Sequence, residues 1–143
     1  MSELQGIARF KFHEGKLKEF KRLSAQAMEI VRTKDTGTLH YDTYFNDDQS
    51  ECMVLERFRD SEAVIEHSAN LGDLTDAILP TVSVVHGELL GEPNAELRAK
   101  LAGSEVPVIF TPYCRCRHQD LAGRAFRSSI EVKEQPQGSL WPS

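Results

Sequence analysis

An α+β domain, with helices packed on a face of an antiparallel sheet, is the fold class this sequence predicts, and three observations carry it. Residues 39–45 and 52–58 each alternate in character on either side of the polar cluster Asn46-Asp47-Asp48-Gln49-Ser50, the pattern of an antiparallel hairpin. Two longer stretches flanking that hairpin carry apolar residues at helical spacing. A strand pattern precedes the first of them and another follows the second, so the element order reads β-α-β-β-α-β.

In residues 7–12, Ala8, Phe10 and Phe12 alternate with Ile7, Arg9 and Lys11, and His13-Glu14-Gly15 turns the chain. Over residues 16–33, Leu17, Phe20, Leu23, Ala27, Ile30 and Val31 form one apolar side of a helix, which Lys34-Asp35-Thr36-Gly37 closes. In the hairpin, Leu39, Tyr41, Thr43 and Phe45 share one side of the first strand, and Cys52, Val54, Glu56 and Phe58 share one side of the second. Asp60 or Ser61 then caps a second helix, and Glu62 suits the positive end of its dipole. Its apolar stripe runs Val64, His67, Leu71, Leu74, Ile78. Gly72 predicts an interruption, giving helical pieces at 61–70 and 73–79 with Pro80 as the stop.

Residues 82–90 are a fourth strand, with Val82, Val84, His86 and Glu88 on one side. The whole is a ferredoxin-like plan, a four-stranded antiparallel sheet with two helices on one face. Both alternating sets of the strands contain large apolar residues, so the other face also needs cover, and self-association supplies it. Asn94 caps a short helix carrying Leu97 and Leu101 and stopped by Gly103, and residues 106–110 predict an extra edge strand. From Cys114 the composition turns to Arg, Ser, Gln, Gly and Pro without periodicity. The expected organisation is one domain over residues 1–113 and an accessory or flexible tail over 114–143.

Charge and cysteine content narrow the function classes. The formal net charge is −5, and of the ionised residues before Cys114, 12 are basic and 19 acidic. A nucleic-acid partner is excluded by that balance, because neutralising phosphates needs a basic surface. No apolar run approaches the roughly 20 residues of a membrane span, and the start MSELQGIARF has no basic region followed by an apolar core. A cytoplasmic location is expected. Three cysteines do not make a disulfide framework. The Cys114-x-Cys116-x-His118 triplet lacks a fourth ligand and zinc-knuckle spacing, so no metal site is expected. Phosphate loops, nucleophile elbows and dinucleotide glycine patterns are missing as well.

Among single residues, His67 stands out because an imidazole inside an apolar stripe must find a hydrogen-bond partner, a ligand or water. Leaving it dry and unpaired costs roughly 1–3 kcal/mol. Its structural reading is a core histidine bonded to a carbonyl or to Glu56; its functional reading is a base or hydrogen-bond donor facing an apolar pocket. Glu56, mid-strand among apolar residues, is either a structural ion pair or the group that orients His67. Tyr41 and His86 are weaker choices, since the face each occupies depends on register. Cys52 reads as a small buried hydrophobe.

Several motifs resemble the antibiotic biosynthesis monooxygenase family over residues 4–113. They are Gly37, Leu39 and Tyr41 at the entrance to a strand, Leu55-Glu56-Arg57-Phe58 at the end of the next, and Asp60, Glu62, Ala63 and His67 on the following helix. The resemblance implies a homodimer closing an α+β barrel across a twofold axis, with the terminal strand reaching across it. It implies a cofactor-independent monooxygenase that oxidises a quinol-like or polyphenolic aromatic with O₂, using no flavin and no metal. It also implies pocket-lining residues on the second helix, so Val64 and Leu71, with Tyr41 and His86, are the expected substrate contacts around His67 and Glu56. The alternative is a non-catalytic small-molecule-binding dimer of the same fold. A haem-degrading branch of the fold carries an asparagine in the first strand, a tryptophan on the second helix and a haem-ligating histidine beyond it. Here Ile7-Ala8-Arg9-Phe10, His67 and Ala77 stand in those regions, which disfavours haem chemistry.

Overall fold

The structure, a computed structural model, describes residues 2–116. The chain divides into two units, residues 1–111 and 112–143. The first unit contains β1 (Leu4–Phe12), α1 (Leu17–Lys34), β2 (Thr38–Phe45), β3 (Glu51–Phe58), α2 (Ser61–Ile78), a single 3₁₀ turn (Leu79–Thr81), β4 (Val82–Leu90), α3 (Ala95–Leu101) and β5 (Val108–Phe110). The strands form one sheet in the order β2-β3-β1-β4-β5, antiparallel throughout except for the parallel β4–β5 pair. It is an α+β, ferredoxin-like fold with one strand added at the edge.

Register decides which residues share the helix-covered face. Leu4, Gly6, Ala8 and Phe10 of β1 lie opposite Phe58, Glu56, Val54 and Cys52 of β3, and Tyr41, Thr43 and Phe45 of β2 extend the same rows. Leu4 and Phe58 are fully buried there in a cluster with Ala63, Val64, Leu89 and Leu97. A second cluster gathers Phe20, Cys52 and Val82, with Phe10, Phe12 and Ile78 packed against it. On the opposite face, apolar Tyr44, Met53 and Phe110 stand about half exposed.

Local chemistry starts and stops the elements. The Asp60 carboxylate accepts from the Ala63 N–H and caps α2, an interaction worth about 1 kcal/mol. Asn94 caps α3 in the same way through the Leu97 N–H. Gly37, between α1 and β2, is required by space: a Cβ there would stand 2.5 Å from the Ala63 Cβ of α2.

Several expectations change. The second helix is continuous from Ser61 to Ile78, not split at Gly72. A mid-helix glycine costs only about 1 kcal/mol relative to alanine, and the burial of His67 and Leu71 just before it anchors the helix on the sheet. Pro80 is accommodated in the 3₁₀ turn that follows. The edge strand starts at Val108 because Pro107, joined to Val106 by a cis peptide, has no N–H to give to a ladder. In β4, Val82 and Val84 do not share a side with His86 and Glu88. A bulge between Arg9 and Phe10 shifts the phase, so that Gly87 and Leu89 face the helices and His86 lies opposite Arg9 on the other face.

Of the second unit, residues 112–116 are described; Tyr113 is exposed, and Cys114 and Cys116 are exposed free thiols. His118 of the cysteine-histidine triplet lies outside the described residues. Among those described, no helix is long and apolar enough to cross a membrane.

Candidate active site

The His67 ring points inward from α2 onto the sheet, and the residue is 7% exposed. The spacing that makes Val64, His67 and Leu71 one stripe brings this about: all three are buried. Phe58 packs edge-on to the imidazole with centroids 5.1 Å apart, and the Tyr41 ring lies tilted against it at 5.4 Å.

Both ring nitrogens meet carboxylates. Nδ1 is 2.6 Å from Asp35 Oδ2, at the C-terminal cap of α1. Nε2 is 3.3 Å from Glu56 Oε1 on β3. Asp35 is held further by the Thr38 hydroxyl, which donates to Oδ2 at 2.7 Å, and by the Asn70 amide, which donates to Oδ1 at 2.8 Å. The Asp35 side chain is 1% exposed and that of Glu56 26% exposed.

These contacts set the protonation states. Burial opposes charge on His67, but the neighbouring Glu56 and then Asp35 outweigh it and raise the imidazole pKa above its ordinary value. Burial likewise works against ionised Asp35, yet the donors Asn70, His67 and Thr38 hold its carboxyl below the usual range. The Tyr41 phenol is pushed up by burial first and by the Glu56 and Asp35 charges second, so it stays protonated. Burial raises the Cys52 thiol to about 11, which leaves it an inert core group.

The structure therefore brings His67, Glu56 and Tyr41 together, with Val64 and Leu71 one turn to either side on α2. His86 does not join them. Its side chain is 61% exposed on the other face of the sheet, 3.7 Å from Glu88, because the β4 bulge reverses its direction. Asp35, Thr38 and Asn70 complete the cluster and were not among the sequence candidates. A signal for Asp35 did exist: a carboxylate at the negative end of a helix dipole needs a compensating partner.

Residues 6–72 match the model of the antibiotic biosynthesis monooxygenase family. No curated protein matches the chain significantly. Among solved structures, the chain is similar to MupZ from Pseudomonas fluorescens at 23% identity and a TM-score of 0.71, over 85% of this chain and 93% of that one. Rv0793 from Mycobacterium tuberculosis superposes with a TM-score of 0.57 at 23% identity, over 65% of this chain and 97% of its own. SnoaB from Streptomyces nogalater, a cofactor-independent oxygenase, gives 0.56 at 16% identity, covering 66% and 96%. The chain thus shares the fold of these structures, and its match to the antibiotic biosynthesis monooxygenase family lies in residues 6–72.

Proposed function

We propose that this protein is a cofactor-independent monooxygenase that oxidises a quinol-like or polyphenolic aromatic, with His67 and Glu56 as the catalytic acid-base pair. The observation that supports it most is a buried imidazole in contact with a partly accessible carboxylate, beside a protonated phenol, in a domain that matches this family. In this reading Tyr41, packed against the His67 ring, and Val64 and Leu71, one turn to either side of it on α2, are the residues that contact the aromatic substrate.

Such a substrate supplies its own electrons. Loss of a hydroxyl proton to the acid-base pair makes the ring electron-rich enough to form a carbon-oxygen bond to O₂. The resulting peroxide breaks at its O–O bond, so one oxygen atom stays on the ring and the other leaves as water, while the aromatic is oxidised to a quinone. The Tyr41 hydroxyl, which stays protonated, is the donor for the oxyanions that develop, and the imidazolium beside Glu56 offsets negative charge there.

An oxygen electrode with a panel of hydroquinones tests the proposal. Uptake above the no-protein rate is expected from the native chain and loss of that excess from His67→Ala. A native rate equal to the no-protein rate overturns it. Thermal stabilisation by aromatic ligands without O₂ consumption identifies a binding module instead.

Gly6 gives a local check on Glu56. A Cβ at position 6 would stand 2.6 Å from Glu56 Oε2, and because that is the end of a flexible side chain, the carboxylate moves before the backbone does. Gly6→Ala is expected to lower kcat at least about tenfold while costing stability no more than about 1 kcal/mol, read by steady-state kinetics and thermal melting.

The half-exposed apolar residues on the open sheet face support a homodimer in which a second copy covers that face. Light scattering is expected to give twice the chain mass, and Met53→Lys to shift it towards the monomer.

A further inference from the structure

Asp35 ends α1, where the helix dipole disfavours a carboxylate. Three donors compensate: His67 Nδ1, the Thr38 hydroxyl and the Asn70 amide. An ionised carboxylate only accepts, so Nδ1 carries a hydrogen. On the other side, Nε2 meets a second carboxylate, Glu56 Oε1, and that contact is attractive when Nε2 carries a hydrogen as well. An imidazolium, protonated at both nitrogens and facing a carboxylate at each, has no lone pair with which to take a proton. Glu56 is different. Its second oxygen, Oε2, lies over Gly6, which carries no side chain, and the Glu56 side chain is a quarter exposed, whereas that of Asp35 is closed off.

We propose that Asp35 is the positioning residue of this site: it holds His67 through Nδ1–H, His67 holds Glu56 through the ion pair at Nε2, and Glu56 Oε2 accepts the hydroxyl proton of an uncharged hydroxyaromatic, a role that rests on the oxygenase reading above. The O–H bond of the substrate breaks, a carboxyl O–H forms on Glu56, and the electron pair remains on the aromatic oxygen. His67 thereby acts as the fixed donor of the acid-base pair and Glu56 as its acceptor.

Charge gives the substrate class. The groups facing His67 are Asp35 from the end of α1, Glu56 from β3, the Thr38 hydroxyl and Tyr41 phenol from β2, and the Asn70 amide of α2. Two carboxylates against one imidazolium leave a net negative charge, and none of the other groups is cationic. A substrate bearing its own carboxylate is repelled, while a neutral phenol donates to Glu56 without penalty.

Nitrogen NMR of the His67 ring in the full-length protein, with binding titrations of naphthol and hydroxynaphthoate, tests this. Near neutral pH both ring nitrogens are expected to be protonated in the native chain, and Asp35→Asn to lower the pH at which the ring loses its charge by about one unit or more. Naphthol is expected to bind at least about tenfold more tightly than hydroxynaphthoate, a preference that shrinks in Glu56→Gln. An unprotonated Nδ1, or a titration unchanged by Asp35→Asn, overturns the positioning role. Equal binding of the two probes, or binding of neither, overturns the substrate class. If Asp35→Asn fails to fold, Glu56→Gln decides: it is expected to lower the ring titration with Nδ1–H retained, and an unchanged titration overturns the relay. None of these readouts needs turnover, so a protein that shows them but consumes no O₂ loses the oxygenase reading and keeps the relay.

Discussion

Glu56→Gln is expected to lower kcat for hydroquinone-driven O₂ uptake by about 100-fold to 10,000-fold, the range general-base catalysis commonly supplies. The amide keeps the size of the carboxylate and its place on β3 opposite Gly6 and Tyr41, so the substitution removes the proton acceptor without emptying the space. A side chain one quarter exposed also tolerates the loss of charge, so the melting temperature should change by no more than about 5 °C. The division between kcat and KM is diagnostic. If Glu56 only anchored the substrate, KM would rise with kcat nearly unchanged, and steady-state kinetics showing that pattern would remove Glu56 from the chemistry.

The second large effect is on stability. Asp35→Ala strips a solvent-free carboxylate from the His67 ring, the Thr38 hydroxyl and the Asn70 amide at once. Breaking a buried ion pair from one side costs about 3–5 kcal/mol, and a loss of roughly 10 °C in melting temperature follows for a domain of this size. The same pair imposes a pH dependence. His67 binds its proton more tightly folded than unfolded, so its contribution is complete below its ordinary value of 6.5 and disappears as pH rises through the raised folded value. Asp35 acts in the opposite sense. Its contribution is present above its ordinary value of 3.8 and is lost as pH falls through the lowered folded value. Urea unfolding across pH should therefore show a plateau on the acid side of neutrality and a decline above it. His67→Gln should flatten the alkaline decline, and a decline of full size in that variant would assign it to another group.

Much of this domain was legible without coordinates, for identifiable reasons. The β2–β3 hairpin and the helix starts are written locally, in alternation around a polar turn and in the capping residues Asp60 and Asn94. His67 was visible as the polar member of an apolar stripe. Gly72 misled because local propensity weighs a glycine by its own cost, while the helix is held by the packing of its neighbours.

The alternation of apolar and polar residues by itself determined the β-α-β-β-α-β order and the inward direction of His67, since a helical face is a property of spacing along one chain segment. Tertiary structure alone decided the partners of that histidine. Asp35 and His67 are 32 residues apart and meet only because α1 ends beside α2. Glu56 reaches the ring because the β1–β3–β2 register turns it towards the helices, and His86 is turned away because one bulged residue reverses the phase of β4. Register and bulges depend on how strands pair, and pairing is a property of two segments that neither encodes alone.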